Sequence, residues 1–358
     1  MGDTLASQWD IFCRVVDNHG DIGVCWRLAC DLAARGAQAR LWVDDASVLT
    51  WMAPAGALGV SVLPWPGTAL SAQLGDVVVE AFGCELPAVV VERMVSMPRA
   101  PVWINLEYLS AEPFVERSHG LLSPRPDGPG AGLRKWFFYP GFTLRTGGLI
   151  REAGLLRRQQ RFDANAWLRA QGAEHHAGEQ VVSLFCYQQP ALPALLERLA
   201  RQPTLLLATS GQAARQVEQL LGPTLRRGAL RAQVLPALPQ TDYDHLLWAS
   251  DLNFVRGEDS FVRAQWAAKP FVWQIYPQPD GADAVKLRAF LDRFLQHASA
   301  ALALRVRQAW ADWNGGSTGR ATWPETRTWQ HHCAGWRDAL ASQPDLTRQL
   351  IGFAAERR

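Results

Sequence analysis

Two short segments carry acids in a pattern that could do chemistry. In the first, Asp17-Asn18-His19-Gly20-Asp21-Ile22-Gly23, two carboxylates stand four residues apart. Such a pair suits holding a cationic group or taking a proton from a nucleophile. In the second, Arg256-Gly257-Glu258-Asp259-Ser260, a fixed cation, two adjacent acids and a hydroxyl follow one another. Ser260 reads as a helix N-cap, and the free first-turn amides beyond it could bind an anion such as a phosphate. Each segment also has a plainer reading. Asp21 could simply be a helix-start acid, stabilised by a few tenths to about 1 kcal/mol. Asp17 and Asn18 could be turn residues, and His19 reads as a loop residue. Gly20 and Gly23 allow close backbone approach and left-handed conformations, but the GxGxxG dinucleotide fingerprint is absent.

Other candidates are weaker. Asp242-Tyr243-Asp244 is formally a DxD, the pattern of metal-dependent sugar transferases, but its context favours acids in the first turn of a helix. His175-His176 and His331-His332 are adjacent pairs, which cannot face one way as ligands four apart do, and read as surface histidines. Glu107, in Asn105-Leu106-Glu107-Tyr108, could contact an acceptor or a sugar, or could bond loop amides. The aromatic stretch 137–142 reads as packing. The six cysteines (Cys13, Cys25, Cys30, Cys84, Cys186, Cys333) include no CxxC pair and read as small buried hydrophobes in a reducing compartment.

The acids are informative because of the elements that must position them. Apolar runs at 9–16, 41–43, 60–63, 76–81 and 102–106 alternate with helical patterns at 22–35 and 89–97. The Pro/Gly-rich stretch 123–132 reads as a mobile loop. The second half repeats the alternation, with strands at 181–187, 204–209, 232–235, 252–255 and 271–275. Helices fall at 192–200, 213–221, 243–249, 261–267, 284–308, 325–341 and 345–356. Continuous Val/Ile runs between helices mean parallel strands covered on both faces. The expected fold is α/β, with two Rossmann-like doubly wound parallel-sheet domains facing a cleft. The first spans 1–155 and the second 178–342. The polar stretch 156–177 is read as the linker, with hinge motion expected near 154–178 and before the last helix. A terminal helix at 344–358 is expected to pack back on the first domain. Ligands of open parallel sheets bind beyond the carboxyl ends of the strands, and both acidic segments follow strands.

Composition narrows the function classes. The 358 residues are 48% hydrophobic, with 36 Lys+Arg against 34 Asp+Glu. A formal charge of +2 gives no electrostatic case for nucleic acid. No apolar run approaches the roughly 20 residues that cross a bilayer. The polar start lacks a basic segment followed by an apolar one, so a cytoplasmic protein without membrane association is expected. There are 16 Trp against 5 Tyr, so the core leans on indole rings.

Four segments carry a family resemblance. They are the opening WDIFCRVVDNHGDIGVCWRLACDLA, INLEYLSAE (104–112), FYPGF ending at Phe142, and FVRGEDSFVRAQWAAKPFVWQIYPQ (254–278). In order and at matching separations along nearly the whole chain, they resemble the bacterial protein-arginine rhamnosyltransferases that modify translation elongation factor P. The resemblance implies a GT-B glycosyltransferase whose first domain faces the protein acceptor and whose second holds dTDP-β-L-rhamnose. It implies an inverting transfer that leaves α-rhamnose on one arginine of the factor, activating it to rescue ribosomes stalled at polyproline. By the same resemblance Asp17, Asp21 and Glu258 are the catalytic acids, and no metal or other cofactor takes part. The expected substrate- and donor-binding set is Asn18, Gly20, Phe185, Tyr187, Gln240, Tyr243, Arg256, Asp259 and Ser260, and the resemblance gives roles to five of them. Within it Phe185, Gln240 and Tyr243 surround the thymine, and Asp259 and Ser260 hold the diphosphate. The ring at Tyr243 is often Phe in the family.

Elementary chemistry agrees. A guanidinium is delocalised, has a pKa above 12 and is a poor nucleophile. It must be held, polarised and relieved of a proton, and carboxylates do all three. Asp21 is the expected base, with Asp17 and Glu258 positioning the guanidinium. One rival reading is a GT-B sugar transferase or nucleotide-sugar epimerase with a non-protein acceptor, for which a single base would serve. Another is a non-catalytic partner of the translation machinery, which would leave the loop acids without a task.

Overall fold

The computed structural model describes residues 8–17, 19–65, 73–125, 127–276, 281–315 and 323–358. The chain divides into two compact units, Met1–Ala153 with Leu340–Arg358, and Gly154–Ala339. Each is an α/β layer structure built on a mainly parallel sheet.

The first unit contains β1 (Gln8–Cys13), β2 (Gln38–Val43), β3 (Val60–Pro64), β4 (Val77–Ala81), β5 (Val102–Leu106), β6 (Leu122–Pro124) and β7 (Arg134–Phe138). Their order is β3-β2-β1-β4-β5-β7-β6, parallel except for β6 against β7. β4 and β5 are buried along their whole length, as expected of central strands covered on both faces. Ser123 and Pro124, read from sequence as part of a loop, instead belong to the edge strand β6, where a proline costs no interior ladder bond.

Indole rings and two buried acids organise this core. Phe12 and Trp42 stack at 5.6 Å, with Trp65 edge-on to Phe12. Asp10 on β1 is fully buried and accepts from Arg40 Nε and Nη2 at 2.6 Å each, Trp42 Nε1 at 2.7 Å and the Gly75 amide at 2.6 Å. Glu80 on β4 accepts from Trp103 Nε1 at 3.0 Å and pairs with Lys135 Nζ at 2.9 Å. A buried carboxylate persists only when its acceptor sites are filled in this way. The last helix, Leu346–Ala355, is capped by Asp345, which also pairs with Arg35 Nη2 at 2.7 Å.

The second unit contains β8 (Gln180–Leu184), β9 (Thr204–Ala208), β10 (Arg226–Arg227), β11 (Leu230–Val234), β12 (Leu252–Arg256) and β13 (Phe271–Gln274). Their order is β10-β11-β9-β8-β12-β13, parallel except for β10. Residues 156–177, read as a linker, form the helices Leu155–Gln160 and Ala164–Ala170 within this unit. The apolar side of the second helix is the reason. Trp167 and Leu168, with Ala173, join a core cluster with Leu205, Leu207 and Leu235. The single helix expected at 284–308 is two, Ala282–Phe294 and Ala300–Trp313, because Ser299 caps a new start through the Leu302 amide. Trp310 is fully buried and donates from Nε1 to the Phe271 carbonyl at 3.0 Å. His332 is half-buried, not a surface histidine: its Nε2 is 2.8 Å from the Phe294 carbonyl and its ring lies against Phe294.

Both sheets have a point where strand order reverses. In the first unit the chain leaves β1 toward β2 and β3, then returns to place β4 on the other side of β1. In the second it leaves β8 toward β9, then returns to place β12 on the other side of β8. Open α/β sheets bind ligands at the carboxyl ends of strands flanking this reversal. Asp17 and Asp21 follow β1, and the Arg256 segment follows β12.

Candidate active site

In the first unit the helix after β1 runs Gly20–Ala34, so Asp21 is its second residue and His19 its N-cap. Asp21 is 3% exposed. Its Oδ2 accepts from the backbone amides of Val16 and Asp17, both at 2.9 Å, and its Oδ1 accepts from the Tyr108 hydroxyl at 3.2 Å. Burial raises the pKa of its carboxyl. The two amide bonds oppose that rise, the charge of Asp17 adds to it, and the Tyr108 bond lowers it. A carboxylate has about four acceptor positions, so the remaining capacity lies on Oδ1. Asp21 is thus a fixed, buried carboxylate of raised basicity.

Asp17 is half-buried at the end of the loop, and its carbonyl accepts from the Gly20 amide at 2.8 Å. Gly20 and Gly23 are helical and need no left-handed backbone. Space is what Gly20 supplies: a Cβ there would stand 2.6 Å from Asp17 Oδ2. His19 lies edge-on to Trp51 at 5.3 Å. Asn18 lies outside the described residues.

The loop after β5 adds two groups. Glu107 Oε1 accepts from Asn105 Nδ2 at 2.5 Å, and its amide bonds to the Phe138 carbonyl at 2.9 Å. Tyr108, whose hydroxyl reaches Asp21, stacks on Phe82 with ring centres 4.4 Å apart and planes 15° apart. Sequence reasoning places the segment 105–108 at the ligand end of the sheet but gives a role there to Glu107 alone, and it misses Phe82 just past β4.

In the second unit the helix after β12 starts earlier than the sequence suggests. It runs Gly257–Ala267, with Gly257 at φ +64° and Arg256 as N-cap. Ser260 is therefore not the cap. It lies inside the helix, where its buried hydroxyl accepts from the Arg256 amide at 3.1 Å and donates to the Arg256 carbonyl. Glu258 and Asp259 occupy the first turn, and Gln240 Nε2 donates to Asp259 Oδ2 at 3.3 Å.

The Arg256 guanidinium is flanked by aromatic rings, with its carbon 4.4 Å from the centre of Phe185 and 4.2 Å from that of Tyr187. Phe185 meets Tyr243 edge-on at 5.7 Å. The Tyr187 amide donates to Gln274 Oε1 at 2.8 Å. Burial pushes the Tyr243 phenol far up and the Cys186 thiol up to about 12, so neither ionises near neutral pH. A cation, the amide end of an eleven-residue helix and a group of flat rings thus sit together. That combination can hold an anion attached to a planar ring.

The DxD acids have other partners. The helix holding them spans Gln240–Ala249, so Asp244 lies beyond its first turn. Asp242 accepts from Trp167 Nε1 at 3.1 Å and faces His245. Asp244 is buried and takes a two-point bond from Arg263, at 2.8 and 2.6 Å, which ties this helix to the one after β12.

The family model for the elongation factor P (EF-P) rhamnosyltransferase EarP matches residues 9–355. A protein-arginine rhamnosyltransferase of Pseudomonas putida is 45% identical, covering 98% of this chain and 99% of that protein. One from Pseudomonas aeruginosa is 43% identical over the same shares. A solved structure described as the structural basis for EarP-mediated arginine glycosylation of translation elongation factor EF-P is 33% identical. It covers 97% of this chain and 98% of that one, with a TM-score of 0.66. The chain belongs to the elongation factor P rhamnosyltransferase family, glycosyltransferases of GT-B architecture.

Proposed function

We propose that this protein moves L-rhamnose from dTDP-β-L-rhamnose to the guanidinium of one arginine of translation elongation factor P, inverting the anomeric carbon without a metal ion. Family membership supports the sugar and the acceptor. The observation that carries the chemistry is the Asp17–Asp21 pair, with Asp21 buried, bonded on Oδ2 by two amides and retaining acceptor capacity on Oδ1.

The first unit takes the acceptor. A guanidinium nitrogen becomes nucleophilic only as its proton is removed and its delocalisation weakened. Asp17 supplies negative charge to orient it, and Asp21 accepts the proton. Burial favours protonated Asp21, which makes the carboxylate a stronger base. The second unit takes the donor. Phe185, Tyr187, Gln240 and Tyr243 receive the thymine, while Arg256 and the amides around Asp259 and Ser260 receive the diphosphate. Glu258, in the same turn, is the third acid of the proposed catalytic set.

In the reaction the arginine nitrogen attacks C1 from the face opposite the leaving group. The C1–O bond to the diphosphate breaks, and its electron pair leaves with dTDP. The nitrogen's proton passes to Asp21. Arg256 and the helix amides stabilise the charge that develops on the diphosphate. The acceptor is a translation factor, so the reaction belongs to the cytoplasm. Among the described residues no helix is long and apolar enough to cross a membrane.

The test is the intact mass of elongation factor P after incubation with this protein and dTDP-β-L-rhamnose in EDTA. A gain of one deoxyhexose, lost in Asp21→Asn, is expected. No gain with the donor bound would overturn the acceptor, and no binding of the donor would overturn the reading as a whole.

A further inference from the structure

Two loops meet at Asp21, from the ends of β1 and β5, and a third, from the end of β4, packs on the second of them. Each contributes a different kind of group. The β1 loop gives the amides of Val16 and Asp17, which fix Oδ2. The β5 loop gives the Tyr108 hydroxyl, which meets Oδ1. The β4 loop gives Phe82, whose ring lies parallel to that of Tyr108.

Phe82 holds an unusual backbone. Its φ is +57°, in the left-handed region that a bulky side chain rarely adopts. Gly83 follows at φ +64°, so two consecutive left-handed residues turn the chain out of β4. The Phe82 amide is tied to the Leu106 carbonyl at 2.7 Å, which anchors this turn to the strand that leads into Tyr108. Glycine is the natural residue at such a φ. Phe82 is also only half-buried, so filling the core does not account for it. What its ring does is pack flat on Tyr108.

We propose that Tyr108, steadied by Phe82, is a positioning residue for rhamnosyl transfer: it holds the carboxyl plane of Asp21 fixed while Asp21 gains a proton. This rests on Asp21 serving as the base. The chemistry suits a phenol. Its O–H donates to Oδ1 when Asp21 is ionised, and its oxygen can accept when Oδ1 or an incoming N–H carries the proton. The amides on Oδ2 can only donate, so they favour the ionised form alone. A phenol on Oδ1 lets the carboxyl change charge without rotating, and positioning errors of about 1 Å can cost on the order of a hundredfold in rate.

The test compares the full-length protein with Tyr108→Phe, which keeps the stack on Phe82, and with Phe82→Gly, which suits the backbone and removes the ring. Titrating the Asp21 carboxyl by 13C NMR, assigned with Asp21→Asn, requires no activity. Asp17 also acts electrostatically on Asp21, and Asp21 in turn raises the Cys25 thiol; both residues are retained in these variants. The Asp21 midpoint should move upward in Tyr108→Phe. The acid limb of the kcat profile should follow it, with kcat down roughly tenfold and the donor KM within about twofold. Phe82→Gly should change kcat in the same direction by a smaller factor. An unmoved midpoint overturns the proposal, and so does a moved midpoint with kcat unchanged. If the parent protein transfers no rhamnose, the functional reading falls, while the NMR comparison still decides whether Tyr108 governs Asp21.

Discussion

A methyl group on Gly20 would stand 2.6 Å from the Oδ2 of Asp17. The helix after β1 begins at Gly20, and the chain leading into it folds the Asp17 carboxylate against that first turn. The acid that would orient the acceptor therefore owes its position to a missing side chain. Gly20→Ala should push the carboxylate aside, because the end of a side chain moves more easily than backbone. Alanine also suits a helix better than glycine, by up to about 1 kcal/mol. Transfer to elongation factor P should fall at least tenfold, with Tm unchanged or slightly raised. A variant that folds and transfers at the parental rate would remove Asp17's present position from the mechanism.

Asp21→Asn separates activity from stability. The asparagine carbonyl can still accept the Val16 and Asp17 amides, and its amide nitrogen can donate to the Tyr108 hydroxyl. The variant loses the base but also loses a buried charge repelled by Asp17. The sign follows from the direction of the shift. Because the folded-state pKa is raised, the native state favours the protonated carboxyl. Its stabilising contribution is complete below the unfolded value, near 4, and is lost as pH rises through the folded one. Relative to the parent, the variant should gain stability as pH goes from 4 to 8, with each kcal/mol worth about 2–4 °C in a unit of this size. Paired melting curves at those two pH values, alongside a transfer assay that reads zero, make the check. A gain at pH 4 that disappears at pH 8 would reverse the sign.

How far this could be read from sequence depended on range along the chain. β5 appears with the bounds its apolar run predicts, and the acids after β1 lie where the alternation of strand and helix places a ligand loop. Contacts between distant positions were invisible. Nothing near Tyr108 announces Asp21, 87 positions away, and nothing around Phe82 marks its left-handed backbone. Serine before an apolar run is a sound cap signal, and at Ser299 it would have divided the long helix expected over 284–308. The same signal misled at Ser260, because Gly257 starts the helix three residues earlier and leaves the serine to bond back to Arg256. Residues 156–177 look like a linker by charge, but Trp167, Leu168 and Ala173 join the core of the second unit.

Breaking the Arg263–Asp244 pair should destabilise the second unit. Both side chains are nearly inaccessible and bond at two points. Arg263→Met removes the cation paired with a buried carboxylate, and breaking such a pair typically costs about 3–5 kcal/mol. The expected result is a Tm lowered by roughly 6–20 °C, together with weakened dTDP binding, because the helix bearing Asp259 and Ser260 loses its two-point tie to the helix bearing Gln240 and keeps only the Gln240–Asp259 bond among those described. Adding Asp244→Leu to Arg263→Met should recover part of the loss, since two apolar side chains bury no charge. A double variant less stable than the single would show that Asp244 has a partner able to hold it without Arg263.

Arg256 should govern the donor rather than the acceptor. Its guanidinium lies against Phe185 and Tyr187 at the start of the helix after β12, where its charge adds to that of the helix amides. Arg256→Lys keeps the charge but loses the planar group that stacks on both rings, and Arg256→Gln loses the charge as well. Calorimetric titration with dTDP should give a Kd raised severalfold for lysine and roughly 10- to 100-fold for glutamine. The dependence on salt should be flattened only in the glutamine variant, because only that one removes a charge. The KM for elongation factor P should stay close to the parental value in both. If instead the glutamine variant bound dTDP normally and lost affinity for the protein acceptor, Arg256 would belong to the acceptor's site, and the donor's diphosphate would rest on the helix amides alone.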